Sequence, residues 1–158
     1  MAQIIIAPSK ERPLYKAVFL AGGIANCGNW QNDVIDYLQN SDITIFNPRR
    51  ENFDDYAENQ IKWEFEHLEQ CDIFSIYFCN SSSVQPICMY ELGRNIVRMQ
   101  QRFPNDYQNR IIVSVESGYL REEDVIIQTN FACPNIFVNI NATPLSHAEI
   151  IRQKGENQ

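Results

Sequence analysis

The sequence lacks the features that mark secreted, zinc-binding and membrane-spanning proteins. Its five cysteines are odd in number and none forms a C-x-x-C pair, so it predicts neither a disulfide framework nor a zinc site. No apolar run approaches the roughly 20 residues that span a bilayer. The first residues lack the basic flank of a signal peptide. We therefore expect a cytoplasmic protein with reduced cysteines and no membrane partner.

Clusters of basic residues are also missing. Thirteen Lys and Arg residues face twenty Asp and Glu residues, which gives a net charge of −7, and the longest basic runs are pairs such as Arg49-Arg50. Proteins that bind nucleic acids neutralise phosphates with clustered Lys and Arg. The charge balance therefore argues against a nucleic-acid partner and favours a small polar ligand.

The chain does contain short apolar runs that alternate with longer helical periods. Strands are predicted over residues 18–21, 43–46, 73–78, 111–115 and 136–138. Helices are predicted over 30–38, 55–70, 86–101 and 146–152, with Asn29 as an N-cap and Asp55 with Glu58 as a capping box. The run 4–6 is a candidate edge strand.

This alternation predicts the fold. Strands separated by helices pair in parallel through right-handed crossovers, and 158 residues suit one domain. We predict a single domain over residues 1–158 with a flavodoxin-like, three-layer α/β/α fold. Its five-stranded parallel sheet would have the order 2-1-3-4-5.

The strand order also predicts where a ligand binds. In open α/β sheets the ligand lies at the carboxyl ends of the strands, near the switch in strand order. The loops there are 22–29 and 79–85, with 47–53 beside them. Gly22 and Gly23 belong to neither a dinucleotide fingerprint nor a Walker loop. They serve a tight turn, the close approach of a ligand, or both.

Two carboxylates on neighbouring helices are candidate catalytic groups. Glu64 lies at the edge of an apolar stripe formed by Ile61, Phe65 and Leu68, so it is either exposed, paired or directed into a cavity. Glu91 follows Pro86 by five residues. A pair of carboxylates can cleave a glycosidic bond, because one attacks the anomeric carbon while the other handles the proton of the leaving group.

Glu91 also has a simpler interpretation. It flanks the apolar stripe of its helix, whose members are Cys88, Leu92, Ile96 and Met99. On that edge it could be a surface carboxylate paired with Arg94, three residues on. As a nucleophile it needs the ionised form, which the nearby helix N-terminus favours. His67 and His147 are predicted to be surface residues, because no triad or metal motif surrounds them.

Several short segments, in this order and spacing, resemble the nucleoside 2-deoxyribosyltransferases and their relatives. The segments are residues 18–24, 47–50, 61–64, 71–73, 89–93 and 124–128. The likeness extends over about residues 17 to 130. The segment Met89-Tyr90-Glu91-Leu92-Gly93 resembles the nucleophile motif of the family.

The resemblance implies a double-displacement transferase that needs no cofactor or metal. Glu91 would attack C1′ of a 2′-deoxynucleoside and hold the deoxyribosyl group until a second nucleobase takes it, with retention of configuration. Glu64 would lie near the leaving base. The substrate-binding residues implied are Gly22, Gly23, Asn47, Arg49, Arg50, Gln85 and Asp124.

The glycines would border the sugar, and Arg49 or Arg50 the base. Asp124 would help to complete the site of a neighbouring subunit, which implies a homo-oligomer. Two positions depart from the family pattern. Gln85 stands six residues before the nucleophile, where some relatives hold the sugar with an acidic residue, and residues 155–158 lack the terminal aromatic side chain of some relatives.

Two alternatives remain open at the level of the sequence. In an N-glycoside hydrolase that acts on a deoxynucleotide or an NAD-like dinucleotide, water would replace the acceptor base and Arg49 or Arg50 would bind phosphate. A nucleotide-binding domain without catalysis would retain the fold alone.

Overall fold

The computed structural model describes residues 1–51 and 57–157. The strands are β1 (Gln3–Ile6), β2 (Ala17–Gly22), β3 (Thr44–Asn47), β4 (Ile73–Phe78) and β5 (Ile111–Val115). The helices are α1 (Trp30–Leu38), α2 (Ala57–Gln70), α3 (Pro86–Arg102), α4 (Glu122–Ala132) and α5 (Pro144–Glu156), with a short 3-10 helix at Tyr107–Asn109. None of the helices in these ranges is long and apolar enough to cross a membrane.

The five strands form one parallel sheet in the order β1-β3-β2-β4-β5. Apolar side chains cover both faces because each face packs against helices, as parallel sheets require. One core lies between the sheet and α2, α3 and α4, and the other between the sheet and α1 and α5. The predicted flavodoxin-like α/β fold is confirmed.

One edge of the sheet differs from the prediction. Residues 136–138 do not form a strand; the chain makes only a single parallel bridge there, between Ser114 and Asn139. A strand of this sheet would be covered by helices on both faces. Phe137 is instead 98% exposed, so the side chains of this run are not buried on both sides. The fifth strand is instead β1, which pairs with β3 at the opposite edge.

The helices begin and end largely where the sequence predicts. The side chain of Asn29 caps α1 by accepting from the backbone N–H of Asn32, at 3.2 Å. α3 begins at Pro86, and α5 is longer than predicted, with Thr143 as its N-cap. The helix α4 was not predicted at all. Asp55 of the predicted capping box lies outside the described residues.

The buried face of α2 is not the predicted one. Ile61 is 64% exposed, and Phe65 lies at the surface beneath the guanidinium group of Arg94. The residues of α2 that are buried are Trp63, His67 and Leu68. The helix is therefore rotated so that Trp63 faces the sheet, and the neighbouring Glu64 is half-buried rather than exposed.

Both histidines are buried, which corrects the prediction that they lie on the surface. His67 packs between Trp63 and Phe46 and bonds to the Trp63 carbonyl. His147 bonds through Nδ1 to the Ser114 hydroxyl, at 2.7 Å. Both side chains pack helices against the sheet, and neither lines the cleft at the carboxyl ends of β2 and β4.

Candidate active site

A cleft of about 270 Å³ opens at the carboxyl ends of β2 and β4, where the strand order reverses. This is the position at which open α/β sheets bind ligands. We call it the Glu64–Glu91 cleft. Its lining consists of Phe19, Ala21, Gly22, Gly23, Ile24, Ala25, Pro48, Glu64, Ser83, Gln85, Pro86, Ile87, Cys88 and Glu91.

Glu91 reaches the cleft from the second turn of α3 and is not a surface ion-pair residue. Arg94, the alternative partner, lies instead 3.6 Å from the Glu69 carboxylate. Burial, and then the neighbouring charge of Glu64, raise the pKa of Glu91 to about 8. The helix N-terminus was expected to favour the ionised form of Glu91. In this site desolvation and a like charge outweigh it.

Glu64 faces Glu91 from α2. Burial raises its pKa as well, but two neighbours oppose that shift. The amide nitrogen of Gln60 donates to Glu64 Oε1 at 2.9 Å, and the positive charge of Arg50 favours the carboxylate. Among the described residues, no such group supports the charge on Glu91. Burial and the neighbouring charge thus favour the protonated form of Glu91, whereas Gln60 and Arg50 favour the charged form of Glu64.

Gly22 and Gly23 form the wall opposite the carboxyl groups. Gly22 has a φ of +152°, which disfavours other residues. A Cβ on Gly23 would lie 2.5 Å from both Cys27 Sγ and Gln85 Oε1. The two glycines thus allow the tight turn and the close packing of Cys27 and Gln85, and the close approach of a ligand remains a prediction.

Gln85 presents a neutral hydrogen-bond acceptor at this wall. Its side-chain nitrogen donates to the Cys79 carbonyl at 2.8 Å, which fixes the orientation of the amide. Its Oε1 is buried and has no partner among the described residues. The backbone of Gln85 is left-handed, with a φ of +53°. A buried acceptor of this kind is suited to a donor that a ligand brings, such as a hydroxyl group.

Asn47, Arg49 and Arg50 are not among the residues that line the cleft, although Pro48 between them is. Asn47 ends β3, and its side-chain oxygen accepts from the backbone N–H of Arg49. The Arg49 guanidinium donates to the carbonyls of residues 24, 27 and 28, at 2.8 to 3.1 Å. Arg49 therefore supports the loop that forms one wall of the cleft.

Arg50 is buried next to a second cavity, of about 330 Å³, which Lys10, Lys62 and Trp63 also line. Its charge acts on Glu64, as described above. Arg50 thus affects the cleft electrostatically. The binding roles of Arg49 and Arg50 remain predictions.

Asp124 lies in the first turn of α4 and forms an ion pair with Arg121, at 2.9 Å. It lines a groove between α3 and α4 together with Val97, Gln100 and Gln128. We call this the α3–α4 groove. Asp124 is not part of the lining of the Glu64–Glu91 cleft in its own chain.

Two cysteines beside the cleft are joined. A disulfide connects Cys27, in the loop after β2, to Cys79, at the end of β4, with a Cα–Cα distance of 6.1 Å. The expectation that all cysteines are reduced is wrong for this pair. A separation of 52 residues hides such a pairing from sequence spacing. The other three, Cys71, Cys88 and Cys133, are free and buried.

The comparison with protein families supports the resemblance that the sequence motifs indicate. The family model described as nucleoside 2-deoxyribosyltransferase like matches residues 15–103, which is just over half of the chain. No curated protein matched the chain. The matched region runs from before β2 to the end of α3 and contains every residue that lines the cleft. The chain therefore belongs to the nucleoside 2-deoxyribosyltransferase-like family.

Proposed function

We propose that the protein transfers 2-deoxyribose between nucleobases through a covalent intermediate on Glu91. The observation that carries the proposal is the convergence of Glu64 and Glu91 on one cleft, with both pKa values raised. Carboxyl groups with such raised pKa values are typical of sites that move protons. Family membership supports a nucleoside as the substrate.

The singly protonated pair is the reactive state in this mechanism. Glu91, as the carboxylate, attacks C1′ and forms a glycosyl ester while the bond to the base breaks. The proton that burial favours on Glu91 passes to Glu64 before this step, and Glu64 delivers it to the departing base. The second half-reaction reverses these steps with a different base, so two inversions give net retention.

The sugar would bind against the glycine wall. Gly22 and Gly23 allow close approach of the ring, and Gln85 Oε1 accepts a hydrogen bond from a sugar hydroxyl. Since a site built to bond a hydroxyl rejects analogues that lack it, this acceptor would select for a sugar that carries that hydroxyl. Arg49 holds the loop that completes the wall, and Arg50 and Asn47 support the base side.

Oligomerisation would complete the site. Asp124 lies in the α3–α4 groove rather than in the cleft of its own chain. We infer that a second copy of the chain packs on this groove and brings its own Asp124 towards the neighbouring cleft.

The activity is tested by incubating the protein with thymidine and free adenine and separating the products by chromatography. We expect deoxyadenosine and thymine in equal amounts. Glu91→Gln should lower the rate by at least about 10³-fold, because the amide cannot act as the nucleophile. Glu66→Gln is the matched control, since Glu66 lies on α2 and pairs with Lys62 at 3.9 Å instead of lining the cleft.

The same assay distinguishes the other readings. Release of thymine without formation of deoxyadenosine would show that the protein is a hydrolase instead of a transferase. Full turnover by Glu91→Gln would rule out Glu91 as the nucleophile. Tight binding of a nucleoside that stays intact would indicate a binding domain.

A further inference from the structure

The Cys27–Cys79 disulfide joins two chain segments at the wall of the cleft that contains Gly22, Gly23 and Gln85. We call this the sugar wall, because the proposed function places the sugar there. Cys27 belongs to the loop 23–28, of which residues 23–25 line the cleft. Cys79 directly follows β4, and its carbonyl accepts from the Gln85 side chain at 2.8 Å. Cys27 Sγ also packs closely at Gly23, as the hypothetical Cβ contact of 2.5 Å indicates. The bond therefore ties the Gly23 loop to the segment that orients Gln85.

The two thiols would stay close to each other if the bond opened. Arg49 donates to the carbonyls of Ile24, Cys27 and Gly28, which fixes the loop of Cys27. The N–H of Gly23 donates to the Tyr77 carbonyl of β4 at 3.3 Å, so the start of the same loop stays beside β4 without any contact to sulfur. Re-formation of the bond would then require little loop ordering. Such a pair suits repeated opening and closing.

The remaining thiols are protected from the same chemistry. Cys71 and Cys88 are buried, and burial raises the pKa of each thiol to about 12. Cys133 is fully buried as well. Since the thiolate is the reactive form, oxidation should be confined to Cys27, which is partly exposed, and to its neighbour Cys79.

We propose that Cys27 and Cys79 form a redox-sensitive modification site that controls the order of the sugar wall. In the disulfide form the Gly23 loop is fixed against β4 and the cleft is shaped for its ligand. In the dithiol form the loop keeps its hydrogen bonds to Arg49, Trp30 and Tyr77 but loses its covalent link to Cys79. The consequence for substrate affinity rests on the proposed function, whereas the chemistry of the thiols does not.

The oxidant would be a low-molecular-weight disulfide. The Cys27 thiolate attacks one of its sulfur atoms, which forms a mixed disulfide and expels one thiolate. The Cys79 thiolate then attacks Cys27 Sγ and expels the second. The two protons of the cysteines pass to the two released thiols, so one disulfide is consumed and one is formed. Excess thiol reverses both steps.

The experiment compares the whole protein equilibrated with glutathione disulfide and with reduced glutathione. Free thiols are blocked with iodoacetamide, and peptides are identified by mass spectrometry. We expect a linked Cys27–Cys79 peptide in the first sample, and alkylation of both cysteines in the second. Amide hydrogen exchange of residues 24–28 should be about tenfold faster in the reduced protein.

Kinetics give a second readout. Reduction should raise KM for the deoxynucleoside about tenfold. This is the expected effect if substrate binding must order roughly one additional loop residue in the reduced protein. Cys27→Ser should have the higher KM under both conditions. The matched control Cys133→Ala should respond to glutathione as the wild type does.

The proposal is overturned if no linked peptide forms, or if hydrogen exchange is the same in both redox states. Equal KM values for the oxidised and the reduced form of an active enzyme would overturn the claim that the disulfide controls substrate affinity. Absence of any turnover, with the linked peptide and the change in exchange both present, would refute the proposed function and leave the redox site standing.

Discussion

In the proposed mechanism, the activity depends on one proton that Glu64 and Glu91 share. The pKa of Glu91 is raised to about 8, first by burial and then by Glu64. Above that pH the pair loses the proton that the leaving base needs. At lower pH both groups become protonated and no nucleophile remains. We therefore expect a bell-shaped dependence of kcat/KM on pH, with its alkaline limb near pH 8.

Glu64→Gln should change the shape of that profile. The substitution removes both the proton donor and the like charge, so the residual rate should only rise with pH, through a lower pKa of Glu91. The Glu66→Gln variant should keep the bell-shaped dependence of kcat/KM on pH. A flat wild-type profile between about pH 6 and 10 would contradict the shared-proton mechanism.

Gly23 and Gly28 provide a matched pair in the same loop. A Cβ on Gly23 would lie 2.5 Å from Cys27 Sγ and Gln85 Oε1, whereas a Cβ on Gly28 would meet nothing within 4 Å. Gly23→Ala should displace Gln85 and lower kcat/KM by about 10- to 100-fold, since small displacements of positioning groups have effects of that size. Gly28→Ala should stay near the wild type in the same steady-state assay. Equal kinetics for the two variants would contradict the role of the Gly23–Gln85 contact.

Single residues were predictable to the extent that their roles depend on nearby sequence. Glu91 and Glu64 follow from helical spacing beside a predicted switch point. The orientation of the Gln85 amide depends instead on its contact with the Cys79 carbonyl, and the Cys27–Cys79 bond joins segments 52 residues apart. Tertiary contacts of this kind leave no periodic pattern in the sequence.

Secondary-structure elements were predictable where one face is continuously apolar. β2, β4 and β5 are buried along most of their length, and α3 buries the predicted stripe. The position of helix α2 in the sequence was predicted correctly, but its buried face was not. Trp63 and His67 are buried, while Ile61 is exposed. The helix α4 was missed because its hydrophobic residues do not favour one side. Its burial depends on the contacts of Val125 and Thr129 with the rest of the fold.

The attachment of α5 to the sheet should make the protein sensitive to acid. His147 is fully buried among Trp30, Tyr77 and Ser114, and burial lowers its pKa from 6.5 to about 3. Below pH 6.5 the unfolded chain binds a proton that the folded chain excludes. The contribution of His147 to stability is therefore complete above pH 6.5 and is lost as the pH falls towards 3. One proton gives a slope of about 1.4 kcal/mol per pH unit.

Urea unfolding between pH 7 and pH 4 measures this slope. His147→Gln should be less stable than the wild type at pH 7 but should lose less stability on acidification. Asn139→Ala is the matched control, because Asn139 bonds to Ser114 and Ser146 in the same network and carries no titratable proton. It should lower stability while keeping the wild-type slope. Parallel slopes for all three proteins would show that His147 does not carry the pH dependence.

For the molecule as a whole, the exposed apolar surface beside the α3–α4 groove bears on assembly. Val97, Ile127 and Phe131 are all exposed on α3 and α4, with Phe131 82% accessible. Ile127 and Phe131 lie one turn apart on the same side of α4, and exposed apolar patches often mark a protein interface. We expect the wild type to form a dimer or larger oligomer through this surface, although the chain carries a net charge of −7 that opposes association.

Light scattering coupled to gel filtration tests this assembly with two matched substitutions. Phe131→Glu should shift the protein to the monomer and lower its transferase activity, because Asp124 can then no longer reach a neighbouring cleft. Phe137→Glu adds the same charge at another exposed phenylalanine, which lies on neither α3 nor α4, so it should keep the oligomer and the activity. A wild type that is monomeric and fully active would show that each chain holds a complete site. Dissociation by both variants would assign the effect to added charge, since the position of the phenylalanine would then not matter.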